Sequence, residues 1–260
     1  MSAEAIVIGF TTAPGYFYRR ALRDAARERG VELQLNDLSV FEQVRWEKVD
    51  ALFLPGGPDI NPCYYLSCVD QELKEHTKRH QGLAHLRKKS RKRDAFEHAL
   101  LMEVFHNRGL QNLPVLGIGR GMQMLAVALG VPLYLDLRRE TGLVASRFEY
   151  VAVEPVPQTR FREIIGDEEI GVIKTQHQGV RLPYYMAHHE KWPELRVSGL
   201  SHRRQFAEAI ELTNRPVLGL QFHPELSRNP RMKGVFHWLI DEAHRRSLER
   251  RRLFTQEQVF

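Results

Sequence analysis

The sequence predicts an α/β fold with a mostly parallel central sheet, on three observations. Short apolar runs recur along the chain, as in strands that are covered on both faces. Stretches of about ten to fifteen residues with helical periodicity separate the first of these runs, which is the pattern of βαβ units. The chain has 260 residues, 43% of them hydrophobic, and is long enough to bury a core of this kind.

Strand and helix candidates alternate in the first half of the chain. The strand candidates there are residues 5–9, 31–35, 51–54 and 115–118, and the helix candidates are about 17–28, 94–106 and 122–129. Glycines at positions 30, 109 and 130 follow these helices, where a helix commonly ends. Further strands are expected at 150–156, 171–174, 195–197, 206–212 and 217–222, before a final helix at about 232–250.

Composition excludes several classes of protein. The 18 glycines and 13 prolines are too few for a collagen or a low-complexity chain. The two cysteines, Cys63 and Cys68, form neither a disulfide framework nor a zinc-binding pair. No apolar run reaches the length of about 18 residues that marks a membrane span, and the first residues lack the basic start of a signal peptide. We therefore expect a soluble, cytoplasmic protein with no metal, no cofactor and no membrane partner.

We expect one domain over residues 1–260, because neither an internal repeat nor a clear linker divides the sequence. The polar segment at about 64–93 is too long for an ordinary connection, so it is expected to be an excursion with local helix or a mobile loop. A basic helix or tail is expected at about 231–260. The oligomeric state is left open, a homodimer included.

Gly56 and Gly57 follow the third strand candidate, in the segment LPGGPD. Paired glycines allow backbone N–H groups to approach a ligand closely, which an oxyanion hole requires. A tight turn uses glycines in the same way, so this segment alone does not identify a site.

The segment VLGIGRGMQ has the pattern of a nucleophile elbow. In such an elbow a strand, a Gly-x-X-x-Gly turn and a helix follow one another, and the central residue of the turn carries the attacking group. The N–H of the next residue then helps to stabilise the oxyanion. The central residue here is Gly119, which has no side chain, and Arg120 follows it.

His223 and Glu225 come directly after the last strand candidate, in the segment LGLQFHPE. A carboxylate beside an imidazole fixes its tautomer and favours its charged form, as a general base requires. A structural histidine is the alternative interpretation of this segment.

In this order and spacing, the three segments resemble the class I glutamine amidotransferase superfamily, and within it the γ-glutamyl hydrolases, especially the γ-glutamyl-γ-aminobutyrate hydrolase family. The resemblance extends over nearly the whole chain and includes LPGGPDINP, RDAFE, LGI, RGMQ, LY, DL, HQGV and FHPE. It implies a flavodoxin-like three-layer sandwich with a mostly parallel central sheet, the class I glutamine amidotransferase fold. It also implies a Cys–His–Glu triad that cleaves γ-glutamyl amides through an acyl-enzyme.

The resemblance assigns roles to several residues of this chain. His223 and Glu225 correspond to the histidine and glutamate of the triad, and the oxyanion donors correspond to the backbone N–H groups of Gly57, or its neighbour Gly56, and of Arg120. The residues that correspond to substrate-binding positions are Gln123, His177 and Gln178.

The cysteine of the family corresponds to Gly119, and this departure decides the functional prediction. Without a thiolate, covalent catalysis of this type does not occur, and only residual acceleration from the oxyanion hole and from binding is expected. A nucleophile at the tip of an elbow occupies a strained conformation that costs about 1–3 kcal/mol, which glycine avoids. Gly119 should therefore preserve the fold while it removes the reaction.

Three explanations of Gly119 remain open. The chain is a noncatalytic or regulatory protein that binds a small γ-glutamyl or glutamine-like ligand, or it is an active hydrolase whose cysteine was replaced in this sequence, or Cys63 has taken over as nucleophile. A second departure is Lys174, which precedes His177 where the family usually has Asn-Ser. This lysine either favours an anionic ligand or points to solvent, so the identity of the substrate is open.

Two basic stretches accompany a net charge of +6. Residues 87–93, from Arg87 to Arg93, hold six cations in seven positions, and the last helix carries further arginines at 245, 246, 250, 251 and 252. Such blocks either form a solvated face or bind an anionic partner, such as nucleic acid or an acidic protein. A third possibility is that segment 64–93 overhangs the pocket and attracts a polyacidic γ-glutamyl ligand.

Overall fold

The computed structural model describes residues 5–12, 15–40, 43–87, 90–143, 148–201 and 203–257. The strands are β1 (Ile6–Phe10), β2 (Leu33–Asp37), β3 (Ala51–Leu54), β4 (Val115–Ile118), β5 (Leu133–Tyr134), β6 (Phe148–Pro155), β7 (Ile170–Thr175), β8 (Gly179–Val180), β9 (Leu195–Ser201), β10 (Phe206–Leu212) and β11 (Val217–Leu220). The α-helices are α1 (Tyr16–Glu28), α2 (Gln71–His80), α3 (Ser90–His106), α4 (Arg120–Ala128), α5 (Leu137–Thr141), α6 (Arg160–Ile165), α7 (Leu182–Ala187) and α8 (Lys233–Glu257).

Nine of the strands form the central sheet, in the order β2-β1-β3-β4-β11-β10-β9-β6-β7. The five strands from β2 to β11 in this order run parallel to one another. The remaining four are joined by antiparallel pairing. The prediction of an α/β fold built on a central sheet with parallel βαβ units is therefore confirmed, and the antiparallel strands extend that sheet on one side.

Helices cover both faces of the sheet. Helices α1 and α8 pack together on one face, where α8 also contacts β1 and β3. Helices α3 and α4 pack on the other face, where α4 contacts β3, β4 and β11. Each face has its own buried apolar cluster. This arrangement explains the uninterrupted apolar runs in the sequence. A strand covered by helices on both faces has no side in contact with water, so its side chains are apolar on both faces.

Segment 64–93 contains local helix, which was one of the two expectations for it. Asp70 caps α2, since its carboxylate accepts a hydrogen bond from the N–H of Leu73 at 2.9 Å. Helix α3 already begins at Ser90, four residues before the predicted start, and Arg93 pairs with Glu97 one turn further on. Lys88 and Lys89 of the basic stretch lie outside the described residues, as do residues 258–260 of the predicted C-terminal tail.

None of the helices in the described part of the chain combines the length and the apolar character that a membrane span requires.

Candidate active site

Three loops meet at one edge of the sheet. Strands β3, β4 and β11 are parallel neighbours, and the loops that follow their carboxyl ends carry Gly56, Gly119 and His223 respectively. Parallel strands present their carboxyl ends at the same edge, which is where ligands bind in open α/β sheets. The sheet order therefore brings together three motifs that are far apart in the sequence.

Gly119 occupies the tip of the turn between β4 and α4 in a conformation that suits glycine. Its backbone angles are φ 56° and ψ −112°, in the region that residues with a side chain rarely adopt. A Cβ atom placed on Gly119 would lie 3.6 Å from Cε1 and 3.7 Å from Nε2 of His223. The position thus has room for a side chain, and that side chain would face the imidazole.

The glycines on either side of this tip allow β3 and α4 to approach each other. A Cβ on Gly121 would lie only 2.0 Å from the carbonyl oxygen of Leu54, and one on Gly117 would lie 2.6 Å from the carbonyl carbon of Gly121. No side chain fits at either position without a shift of backbone. The sharp turn is therefore maintained by the two flanking glycines, as the Gly-x-X-x-Gly spacing predicted.

His223 is held from both ring nitrogens. Its Nδ1 lies 2.7 Å from Oε1 of Glu225, and its Nε2 lies 3.2 Å from the hydroxyl of Thr175. When Nδ1 carries the proton toward the carboxylate, Nε2 is the acceptor and the Thr175 hydroxyl donates to it. The backbone N–H of His223 also donates to the carbonyl of Ile173 at 3.2 Å, which fixes β7 against this loop.

Tyr18 and Thr175 are site residues that the sequence did not reveal. The Tyr18 hydroxyl lies 3.3 Å from Nδ1 of His223 and accepts a hydrogen bond from the N–H of Gly56, also at 3.3 Å. Burial, with the negative charge of Glu225, raises the pKa of Tyr18, so this hydroxyl keeps its proton. Neither residue belongs to one of the three sequence motifs. Each contacts His223 from an element that is remote in the sequence, so spacing along the chain does not indicate the contact.

A buried network of charges supports the loop that carries Gly56 and Gly57. The guanidinium of Arg120 binds the carboxylates of Asp94 and Glu97, and all three side chains are almost completely buried. Arg93 binds Glu97 at 2.8 Å and donates to the carbonyls of Gly56 at 3.1 Å and Pro55 at 2.6 Å. The network thereby fixes both predicted oxyanion elements, the Gly56–Gly57 loop and the start of α4, to helix α3.

The first N–H groups of a helix have no partner within that helix. The N–H of Arg120 at the start of α4 is therefore in the position expected of an oxyanion donor, next to Gly119. The N–H of Gly57 is the expected second donor on the neighbouring loop.

These residues surround a cavity of about 500 Å³, here called the elbow cavity, whose walls include Gly56, Gly57, Gly119, Arg120, Gln123 and His223. This volume is within the range of small-molecule sites. Thr175, His177 and Gln178 also line the elbow cavity.

Gln123 and Gln178 line the elbow cavity but are committed to internal hydrogen bonds. The side-chain amide of Gln178 accepts from the N–H of Ile60 at 2.7 Å and donates to its carbonyl at 3.1 Å. Gln123 donates to the carbonyl of Gln178 at 2.8 Å. Both glutamines therefore tie α4 and the loop after β7 to the loop after β3.

His177 lies between two carboxylates. Its Nδ1 is 2.6 Å from Oδ2 of Asp59, and its Nε2 is 3.2 Å from Oδ2 of Asp136. The hydrogen bond to Asp59, together with the two negative charges, raises the pKa of His177. This side chain therefore carries a positive charge at a higher pH than an ordinary histidine.

We expect this ion pair to make stability depend on pH. A histidine whose pKa is raised by folding stabilises the folded chain fully below its unfolded pKa, and the contribution disappears as the pH rises through the folded value. The variant Asp59→Asn should therefore have a lower melting temperature than the unmodified chain at about pH 6. The difference in melting temperature should shrink as the pH rises. Thermal unfolding of both proteins over this range is the measurement, and a difference that widens with pH would contradict the assignment.

Cys63 does not belong to the walls of the elbow cavity. The residue is exposed overall, but partial desolvation of its thiol, together with the negative charge of Asp94, raises the pKa of that thiol. A thiol with a raised pKa is a poor nucleophile, because the thiolate is the reactive form. The geometry therefore does not favour Cys63 as a replacement for the missing cysteine.

Both expectations for Lys174 are wrong. Its side chain is 1% exposed, and its Nζ lies 2.6 Å from Oε1 of Glu208, so it faces neither the ligand nor solvent. Successive residues of a strand point to opposite faces. Because Thr175 turns toward His223, its neighbour Lys174 turns away from the site and into this buried ion pair.

The basic stretch divides between several roles. Arg87 lines the elbow cavity, Arg91 and Lys92 are exposed, and Arg93 belongs to the buried network described above. Arg250 of the basic last helix pairs with the buried carboxylate of Asp50 at 3.0 Å. Binding of an anionic partner through residues 87–93 stays a prediction.

Comparison with known proteins gives matches over most of the chain. The peptidase C26 family model matches residues 29–225. Protein NtpR of Enterococcus hirae is 31% identical over 208 residues, which are 75% of this chain and 76% of that protein. YvdE of Lactococcus lactis, named a glutamine amidotransferase-like protein, is 30% identical over 183 residues, 68% of this chain and 66% of the relative.

Solved structures show a likeness of fold. The glutaminase domain of Trypanosoma brucei CTPS, with bound acivicin, superposes with a TM-score of 0.66 at 15% identity, over 93% of this chain and 94% of that chain.

Proposed function

The chain belongs to the peptidase C26 family within the class I glutamine amidotransferase-like superfamily, and on that basis we propose that it binds a γ-glutamyl or glutamine-like ligand without cleaving it. Membership of the family leaves open both the ligand of this chain and whether the chain cleaves it.

The single observation that carries the proposal is the absence of a side chain on Gly119, directly opposite His223. Covalent cleavage of a γ-glutamyl amide needs a nucleophile within reach of both the base and the oxyanion donors. Here His223, its partner Glu225 and the expected donors surround Gly119, which has no nucleophilic side chain.

Binding is supported by the parts of the site that remain. The elbow cavity is large enough for a small amide ligand, and its walls combine the N–H donors expected at Gly57 and Arg120 with the positively charged Arg87. N–H groups that would stabilise an oxyanion also donate hydrogen bonds to the carbonyl oxygen of an uncleaved amide. The guanidinium of Arg87 suits the carboxylate of a glutamyl moiety.

Turnover and binding assays on the unmodified chain test this proposal. With a γ-glutamyl amide such as γ-glutamyl-γ-aminobutyrate, we expect no hydrolysis at ordinary enzyme rates, which are about 1 s⁻¹ or more. With the same compound or glutamine, we expect a rise in melting temperature that saturates with concentration. Arg87→Ala should weaken that rise, whereas the matched control Arg91→Ala, at an exposed position in α3 outside the cavity walls, should retain it.

Hydrolysis at enzyme rates by the unmodified chain would overturn the noncatalytic part of the proposal, and Cys63→Ala would then show whether that thiol is responsible. Failure of both ligands to raise the melting temperature would overturn the binding part.

A further inference from the structure

We propose that Asp59, His85 and His177 form a binding site for a divalent transition-metal ion, of which Zn²⁺ is the probe of choice, at the wall of the elbow cavity. Each residue offers one ligand atom, and these atoms all lie within 4.8 Å of one another. The proposal does not depend on the γ-glutamyl ligand.

The three side chains come from separate parts of the chain and are held together by specific contacts. Asp59 follows β3, His85 precedes α3 and His177 follows β7. The backbone N–H of His85 donates to Oδ2 of Asp59 at 2.7 Å, and the same oxygen lies 2.6 Å from Nδ1 of His177. The rings of His85 and His177 stack with centroids 4.0 Å apart.

This set of donors matches the chemistry of zinc. Two imidazoles and one carboxylate are the protein ligands of many catalytic zinc sites, which leave a fourth position for water or a ligand. In tetrahedral zinc sites the ligand atoms are on the order of 3.4 Å apart, as bond lengths of about 2.0–2.1 Å require. Because His85 is exposed, its ring can rotate out of its stack on His177 and turn a nitrogen toward the ion.

Asp136 lies within ion-pair distance of His177, although the contact does not have the geometry of a hydrogen bond. Its Oδ2 lies 3.2 Å from Nε2 of His177, the ring nitrogen that points away from Asp59. A metal-binding histidine commonly donates its other N–H to a carboxylate, which fixes the ring and makes it a better ligand. A bound ion would take the place of the direct contact between Asp59 and Nδ1 of His177.

The fourth position of the ion would face the elbow cavity, since Asp59 and His177 both line it. Water or a carboxylate group of a bound ligand would complete the coordination there. The site therefore lies in the same cavity as Gly119 and His223, although it uses none of the residues that correspond to the triad.

Titration of the full chain with Zn²⁺ tests the proposal. After dialysis against a chelator, isothermal titration with zinc chloride should show one ion bound per chain. His85→Ala should weaken binding by about tenfold or more, the effect expected when a metal site is damaged. Because His85 is exposed, this variant should fold normally, which circular dichroism will verify; His106→Ala is the matched control and should bind as the unmodified chain does.

A second measurement separates this site from the exposed thiols. Zn²⁺ should raise the melting temperature of the unmodified chain and of the double variant Cys63→Ala/Cys68→Ala, but not that of His85→Ala. Absence of saturable binding, or binding that is equally strong in His85→Ala and the unmodified chain, would overturn the proposal.

Discussion

Replacement of Gly119 by cysteine is expected to raise hydrolysis of a γ-glutamyl amide by about 10³-fold or more over the unmodified chain. The new side chain would project toward His223, whose Cε1 and Nε2 lie 3.6 and 3.7 Å from the position of the Cβ. Glu225 orients that imidazole at 2.7 Å, so a base for the thiol is already in place. Steady-state release of the amine from γ-glutamyl-p-nitroanilide measures the effect.

Two further variants separate the thiol from the side effects of the substitution. Gly119→Ala places a Cβ at φ 56° and therefore has the same backbone strain as Gly119→Cys, about 1–3 kcal/mol. This variant has no thiol and should stay inactive. Gly119→Cys combined with His223→Ala should lose most of the gain. A folded Gly119→Cys protein that shows no more hydrolysis than Gly119→Ala would contradict the assignment of the elbow.

Glu97→Ala is expected to lower the free energy of unfolding by about 3–5 kcal/mol. Glu97 is fully buried and binds both Arg93 and Arg120. Removal of its carboxylate leaves part of the charge of two guanidinium groups uncompensated in the interior. The loss of one partner of a buried ion pair destabilises a protein strongly, even where the intact pair stabilises it no more than apolar residues would. Urea denaturation of both proteins measures the change.

An exposed ion pair provides the comparison. Arg162 and Glu168 lie 3.5 Å apart, and the Glu168 side chain is 93% exposed. Glu168→Gln should leave stability nearly unchanged, because exposed pairs are screened by water and salt. A similarly small effect for Glu97→Ala would show that the Arg93–Glu97–Arg120 network does not hold the Gly56–Gly57 loop.

The main elements and the three site motifs were accessible from the sequence because each has a local cause. Strand β3 (Ala51–Leu54) was predicted with its observed bounds, since it is an unbroken apolar run that is buried at every position. The elbow was recognisable because the close approach of Gly121 to Leu54 permits no side chain. Strands β5 and β8 were missed because two residues are too few to show a period.

The side chains around His223 and His177 were not accessible, because they depend on contacts between distant segments. Thr175 reaches His223 across 48 positions of sequence, and Asp59 reaches His177 across 118. Lys174 was misjudged for the same reason, since its partner Glu208 lies on another strand. The spacing of residues in the sequence predicts which side chains share a face of one strand or helix. The contacts described here are instead set by the order of the strands in the sheet.

The most direct test of the central claim is intact-mass spectrometry of the unmodified chain during incubation with a γ-glutamyl ester or amide. The acid–base pair and the backbone donors are expected at the site, but Gly119 offers no atom to acylate, so the mass should remain that of the free chain. Accumulation of a γ-glutamyl adduct, located by peptide mapping to any residue of the elbow cavity, would contradict the account.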